Sequence, residues 1–225
     1  MVNAKITSLL FDKVALKQAV TVHANEAFVA FRESSKVLLN ELQEDAVAKG
    51  KNIPFVFSDR SAQQFELMLG DDYLVFLLQP GVSTFDSNHD IWKNSFVKDE
   101  IANSFVGRIY VYNFLADSFT FSRSNDLGDL VARIFINRDN HFFVEGRRQL
   151  GVMFNDFANA KLDANAVRGI LEAIMLYSLD FDPFTPPFDG VQQITVNEVM
   201  ESTLQNRIAT GKRLGFRFQS EGGPY

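Results

Sequence analysis

The pattern of apolar positions divides the chain into a helical beginning, a sheet-forming middle and a helical end. Residues 3–50 contain no proline, and their first glycine is Gly50. Their apolar residues recur at steps of three, four or seven, a spacing typical of an amphipathic helix. The stripe consists of Leu16, Val20, Ala24, Ala27, Phe31, Leu38 and Leu42.

This predicted helix is long for a domain of this size. If residues 12–49 form it without a break, its length is about 55 Å, which exceeds what is needed to cover one face of a sheet. We therefore expect either a break at the β-branched residues 20–22, or a helix that projects and finds a partner.

From residue 53 onward the period of the apolar pattern becomes two, which is typical of strands. Residues 73–78 are apolar on both faces, and this predicts a central strand covered on each side. Short links between the strands favour antiparallel pairing. Besides 73–78, the predicted strands are residues 54–58 and 64–69, a hairpin of 82–86 with 91–97, and a pair of 105–114 with 118–123.

A further hairpin, at residues 128–148, carries the most charge. Its apolar runs, 130–137 and 142–145, flank a turn-forming cluster at 138–141. A three-residue loop would place Phe135 opposite Glu145, and Arg133 opposite Arg147. Because like charges opposed across strands are destabilising, two hypotheses follow. Either Glu145 relieves the repulsion as an ion pair, or the arginines bind an anion.

Four arginines make up this candidate site for a phosphate, a carboxylate or an acidic partner segment, because the planar guanidinium matches such groups. They are Arg123, Arg133, Arg147 and Arg148. An alternative set of acid/base or metal-binding residues lies nearby, since converging carboxylates can hold a hard cation or raise one another's pKa. It consists of Asp126, Asp129, His141 and Glu145.

The end of the chain returns to a helical period. Asp163 is a predicted N-cap for a helix with apolar positions Val167, Ile170, Leu171, Ile174 and Met175. Thr195 and Glu198 form a capping box for a second helix. Together these patterns predict an α+β fold: a mainly antiparallel sheet of about six to nine strands with a long N-terminal helix and two C-terminal helices packed on it.

We expect residues 1–225 to form a single domain. Its predicted parts are a helical N-terminal segment at 1–50, an antiparallel sheet at 53–155, C-terminal helices at 163–210 and a last strand at 212–219.

Composition narrows the classes of function. Lys and Arg number 22 against 28 Asp and Glu, which gives a net charge of −6 and argues against a nucleic-acid module. The chain has no cysteine, which excludes thiolate nucleophiles and disulfides and fits a reducing compartment. With neither a signal peptide nor a membrane span in the pattern, we expect a cytoplasmic protein that does not contact a membrane. The 23 phenylalanines predict a dry core or apolar partner surfaces.

Motifs of established chemistry are absent from the sequence. There is no Walker A loop, no G-x-G-x-x-G after a strand, no G-x-S-x-G and no H-E-x-x-H, and the three histidines lack ligand spacing. We therefore expect no cofactor and no bound metal.

The function expected from the sequence is that of a non-enzymatic binding or assembly protein. The Arg-bearing hairpin would recognise a partner protein, a second copy or an anionic small ligand. The first alternative is a metal-dependent hydrolase or nuclease that uses the carboxylates of residues 126–145. The second is a nucleic-acid-binding module that contacts phosphates through Arg147, Arg148, Lys212, Arg213 and Arg217.

Overall fold

The computed structural model describes residues 3–181 and residue 196. Six strands form one antiparallel sheet in which each strand pairs with the next along the chain, in the order β1-β2-β3-β4-β5-β6. The strands are β1 Phe55–Ser61, β2 Gln64–Leu69, β3 Asp72–Ser83, β4 Val106–Leu115, β5 Asp129–Ile136 and β6 Phe142–Gly146. The α+β class predicted from the sequence is confirmed, and the strand number lies at the low end of the predicted range.

Helical segments precede, interrupt and follow the sheet. The α-helices are α1 Ala4–Ser8, α2 Ala15–Ala48, α3 Ser95–Asp99, α4 Ala116–Thr120, α5 Leu150–Met153 and α6 Ala164–Leu179. A π-helical segment, Leu9–Val14, joins α1 to α2. Two 3₁₀ turns, Asp90–Lys93 and Ile101–Ser104, flank α3.

One face of the sheet, here called the helix face, is covered by α2 and α6. Alternate residues of the strands point to it, among them Phe65, Phe76 and Ile134, which are fully buried. They belong to the same apolar core as Phe28 and Phe31 of α2. The rings of Phe65 and Phe76 stack at a centroid distance of 4.5 Å. Because each such side chain stabilises the fold by about 1.5–3 kcal/mol on burial, this layer is the main source of stability.

The long helix α2 continues through residues 20–22, where a break was one of the two alternatives expected from the sequence. Val20 is fully buried, and its side chain lies against β4 next to Gly107. Thr21 donates its hydroxyl to the carbonyl of Lys17 at 2.8 Å, which satisfies the hydroxyl inside the helix. Packing therefore overrides the weak preference of β-branched residues against helix.

The helix departs from α geometry further upstream, in the π-helical segment. Neither α1 nor this segment contains a buried residue. The large apolar side chains there are all at least 40% exposed: Ile6, Leu9, Leu10, Phe11 and Val14. The N-terminal eleven helical positions thus extend beyond the sheet that α2 covers.

Helix α6 begins where the sequence predicts. The Asp163 carboxylate accepts the backbone N–H of Ala166 at 2.8 Å, and the predicted apolar stripe is buried against the sheet. Arg168 of α6 binds Glu41 of α2 with two hydrogen bonds, at 3.0 and 2.6 Å. The hydrogen bond lowers the pKa of Glu41 and raises that of Arg168. This bidentate pair joins the two covering helices at their solvent side.

The predicted strands at 91–97 and 118–123 are wrong, and the one at 82–86 is not a separate strand, because β3 continues to Ser83 and residues 84–86 are not in a strand. Residues 91–97 lie in a 3₁₀ turn and α3, because the side chains of His89 and Asn94 cap the backbone N–H groups of Ile91 and Phe96. Residues 118–123 lie in and after α4, where Arg123 N–H donates to the carbonyl of Ser118 at 2.8 Å. Side-chain capping replaces strand pairing in the first place, and a backbone turn replaces it in the second.

Two predicted elements cannot be compared with the structure. The second C-terminal helix, within 195–210, and the last strand, at 212–219, lie outside the described residues. Within the described part of the chain, no helix combines the length and the apolar character needed to cross a membrane.

The crossing of α2 over β4 allows a matched test of this packing. A Cβ on Gly107 would lie 2.3 Å from the Cβ of Ala24, so Gly107→Ala should lower the free energy of unfolding by about 1–3 kcal/mol. A Cβ on Gly169 of α6 would come no closer than 3.7 Å to Phe154. Gly169→Ala should therefore raise stability by about 0.5–1 kcal/mol. Urea unfolding measures the free energy of unfolding of both variants. Equal changes in the two would contradict the close crossing of α2 over β4.

Candidate functional site

The described residues cover the face of the sheet opposite the helices, here called the outer face, only at its two ends. At one end Phe85 and Phe96, from the connection after β3, join a cluster with Phe135 and Phe143. At the other end α4 stacks Phe119 on the ring of Tyr73, with centroids 4.0 Å apart. Between these two covers lies a band of partly exposed side chains. This band, here called the central strip, consists of Leu77, Arg108, Tyr110, Tyr112 and Arg133.

The pairing of β3, β4 and β5 determines which residues of the central strip lie next to one another. Tyr110 of β4 lies opposite Leu77 of β3 and Arg133 of β5. Arg108, two residues earlier, lies opposite Phe135, so Arg108 and Arg133 are diagonal neighbours with Cα atoms about 7–8 Å apart. The two residues are therefore neighbours on the outer face, with Arg108 bonded to Pro80 of β3 and Arg133 to Glu145 of β6.

Glu145 neutralises Arg133. The two residues face each other across β5 and β6, and Arg133 donates a hydrogen bond to the carboxylate of Glu145. The second carboxylate oxygen lies 2.5 Å from Nε2 of His89. Nδ1 of His89 accepts the N–H of Ile91 at 3.1 Å, so in neutral His89 the proton is on Nε2 and is donated to Glu145.

This pairing corrects the expected register of the hairpin. Arg133 lies opposite Glu145 and not Arg147, and the loop has five residues. Asn137 causes the longer loop, because its side-chain oxygen accepts the N–H groups of both Asp139 and His141 at 2.9 Å. The repulsion between Arg133 and Arg147 that motivated the search for an anion does not arise.

Arg108 differs from Arg133 because no carboxylate within residues 3–181 forms an ion pair with it. Its Nη2 atom donates to the carbonyl of Pro80 at 3.2 Å. Its Nε atom is buried and has no hydrogen-bond partner among the described residues. A buried donor without an acceptor costs about 1–3 kcal/mol. The described part of the chain thus leaves the positive charge of Arg108 without a counter-ion.

A second polar cluster borders the central strip on the outer face. The Glu66 carboxylate is buried and accepts hydrogen bonds from Arg60 at 2.6 Å, from Gln64 at 2.8 Å and from the hydroxyl of Tyr73. Burial, and then the hydrogen bond with Glu66, raise the pKa of Tyr73. The hydrogen bond with Glu66 also raises the pKa of Arg60. Arg60 and Glu66 thus compensate each other, as Arg133 and Glu145 do.

The other arginines of the predicted site lie elsewhere. Arg123 is buried and binds Asp126 at 2.9 Å. Arg148, just after β6, donates to Asp180 and lies over the ring of Tyr177. Arg147 is exposed, with its Nε atom 3.4 Å from the carbonyl of Leu130. Of the four, only Arg133 belongs to the central strip.

The alternative acid/base or metal set has separate contacts. Asp126 accepts from Ser118 at 2.7 Å, and Asp129 opens β5 opposite Asn113. Nδ1 of His141 donates to the carbonyl of Phe157 at 3.2 Å. In the part of the chain that the structure describes, no three His, Asp or Glu side chains are arranged to hold a metal ion.

Sequence reasoning missed Arg108, Tyr110, Tyr112 and His89. A signal for the first three exists, because they alternate with Ile109 and Val111, which belong to the core of the helix face. For His89 there is none, since Glu145 follows it by 56 residues and only the fold brings the two together.

Comparison of the chain with protein-family models, curated proteins and solved structures found no match.

The Tyr73 hydroxyl gives a pH-dependent prediction. Above the ordinary tyrosine pKa of 10.0 the unfolded chain loses its proton, whereas folded Tyr73 retains it because its pKa is raised. Unfolding then releases a proton, so stability should decrease as pH rises from about 10 towards the folded pKa. Tyr177, whose pKa burial also raises, adds to the decrease.

Urea unfolding between neutral and alkaline pH measures this effect. Tyr73→Phe should be less stable at neutral pH by about 1 kcal/mol, because Glu66 loses a donor. It should also lose less stability than the parent protein on going to alkaline pH. A variant with the same alkaline slope as the parent would show that the Tyr73 pKa is not raised.

Proposed function

We propose that this protein is a non-enzymatic binding protein that recognises an anionic group, a phosphate or a carboxylate, on the central strip. The single observation that carries the proposal is that the guanidinium of Arg108, on a partly exposed face of the sheet, has no carboxylate partner among residues 3–181. The sequence hypothesis of an anion site through arginine is kept, with Arg108 in place of Arg123, Arg147 and Arg148.

The charge balance on the outer face supports this assignment. Arg60 is compensated by Glu66, and Arg133 by Glu145. Arg108 is the one arginine of the outer face for which the described chain supplies no carboxylate. Arg133, its diagonal neighbour, is 39% exposed and retains donors that Glu145 does not use. An anion between the two would receive charge-assisted hydrogen bonds from both.

The tyrosines supply the remaining contacts. Tyr110 and Tyr112 lie side by side on β4, with ring centroids 6.4 Å apart in an edge-on arrangement. Among the hydrogen bonds of residues 3–181, none uses either hydroxyl, and both side chains are partly exposed. Tyrosine and arginine are the residue types that carry most binding energy at recognition surfaces. The rings would pack against the apolar part of a ligand while Arg108 holds its charge.

Inorganic phosphate is the probe for this proposal. A phosphate concentration ten times the dissociation constant should stabilise the folded protein by about 1.4 kcal/mol. For a chain of this length that corresponds to a rise in melting temperature of about 3–6 °C, which differential scanning fluorimetry measures at constant ionic strength. Arg108→Gln should abolish the rise, because the amide cannot replace the guanidinium charge.

The matched control is Arg147→Gln, which removes an exposed arginine outside the central strip. It should leave the phosphate effect unchanged. A parent protein without a phosphate effect at constant ionic strength, or an equal loss in both variants, would contradict the assignment of the strip as an anion site. Native mass spectrometry of freshly purified protein adds a second readout. A phosphate or carboxylate ligand that stays bound through purification would appear as extra mass that is lost on denaturation.

A further inference from the structure

The two edges of the sheet differ in how their backbone groups are satisfied. Along β6, the N–H of Phe142 donates to the carbonyl of Ala160 at 3.2 Å, and the N–H of Val144 donates to the carbonyl of Phe154 at 2.8 Å. His141 and Lys161 form a further bridge. The chain after β6 therefore covers this edge.

Along β1 no strand among residues 3–181 pairs with the outer edge, which is here called open. The hydrogen bond from Gly70 N–H to the carbonyl of Pro54, at 2.9 Å, fixes the phase of the β1–β2 ladder. Val56 and Ser58 then bond to β2. The backbone N–H and C=O groups of Phe55, Phe57 and Asp59 point away from β2, and no described residue forms a hydrogen bond with them.

A cleft lined by both polar and apolar side chains accompanies this open edge. It lies between α2 and β1, has a volume of about 310 Å³ and is lined by Lys36, Leu39, Asn40, Gln43, Phe55 and Phe57. Lys36 lies over the ring of Phe57, with Nζ 5.1 Å from the centroid. On the outer face Val56 is 43% exposed. Unpaired backbone beside exposed apolar side chains is the surface to which another strand adds.

The spacing of the open groups is symmetric about Phe57. Phe55, Phe57 and Asp59 are equally spaced, so an antiparallel copy of β1 can place its own Phe57 opposite this one. Phe55 then faces Asp59 of the second copy, and Asp59 faces its Phe55. Every outward N–H and C=O of these three residues gains a partner in that register.

The ends of β1 limit the pairing to this length. At one end β1 begins only at Phe55, and at the other a bulge between Asp59 and Ser61 shifts the register. A longer extended peptide would therefore gain no further ladder. A second copy brings the matching length together with its own Phe57 ring and cleft.

Charge at this edge permits two copies to approach. Each chain carries a net charge of −6, which opposes association in general. At the β1 edge, however, Arg32 pairs with Asp59 at 3.5 Å and Lys36 pairs with Glu33 at 2.7 Å. The formal charges of these four side chains therefore sum to zero.

We propose that two copies of this chain associate through antiparallel pairing of their β1 strands about Phe57, which joins two six-stranded sheets into one. The interface is independent of the central strip. Because only residues 55–59 of each copy pair, the interface is small, and we expect a dissociation constant of roughly 1–100 μM.

Asp59→Pro and Asp59→Ala form a matched pair for the test. Both lose the carboxylate, whose side chain is 47% exposed, but only proline removes the outward N–H and places a ring on the open edge. Sedimentation equilibrium of the full chain should show a dimer for the parent and for Asp59→Ala. Asp59→Pro should weaken dimerisation at least tenfold. A monomeric parent at all concentrations, or a dimer that Asp59→Pro leaves unchanged, would overturn the proposal.

Cysteine cross-linking tests the register, and the absence of natural cysteines keeps the background clean. Val56 would lie opposite Ser58 of the second copy in a non-hydrogen-bonded pair, with Cα atoms about 4.5 Å apart, a distance that permits a disulfide. The double variant Val56→Cys/Ser58→Cys should give a covalent dimer under mild oxidation. Each single variant should give little, because its cysteine faces Ser58 or Val56. Equal cross-linking of the double and single variants would exclude this register.

Discussion

The close crossing of α2 over β4 is the constraint on which the rest of the fold depends. Ala24 and Gly107 meet where a larger side chain on either would separate the layers. At that distance α2 can place Phe28 and Phe31 into the core that the sheet supplies from its helix face. A dry, close-packed layer of this kind is sensitive to a single methyl group.

With the helix face closed by α2 and α6, the polar chemistry of the chain is left to the outer face. Two buried or half-buried carboxylates there, Glu66 and Glu145, are each held by an arginine and a second donor. These clusters fix the ends of the central strip and leave Arg108 between them. The strip is therefore a consequence of covering the sheet unequally, with helices on one face and two short segments on the other.

The apolar period predicted the parts of the fold that depend on one segment at a time. The stripe of α2, the cap and stripe of α6 and the central position of β3 all follow from local spacing. The strands predicted at 91–97 and 118–123 failed because capping by Asn94 and His89, and a turn at Ser118, compete with strand pairing over few residues. Such competition is decided by local side-chain and backbone hydrogen bonds, which the apolar period does not encode.

The site was predicted less well than the fold, since it depends on register and distant contacts. Moving the hairpin register by one residue in each strand changes the partner of Arg133 from Arg147 to Glu145. The contact of His89 with Glu145 joins segments 56 residues apart. The alternation of Arg108 with apolar residues was readable in the sequence, but its lack of a counter-ion required knowledge of both neighbouring strands.

The order of the strands also bears on how the chain folds. Every strand pairs with its sequence neighbour, so the sheet can grow hairpin by hairpin with short loop closures. The helices that cover the sheet cannot assemble in this stepwise way, because Glu41 and Arg168, which join α2 to α6, are 127 residues apart. Until α6 has been made, part of the helix face stays exposed to water. A ribosome-bound chain that lacks α6 would therefore be a natural client for a chaperone that recognises apolar sheet surfaces.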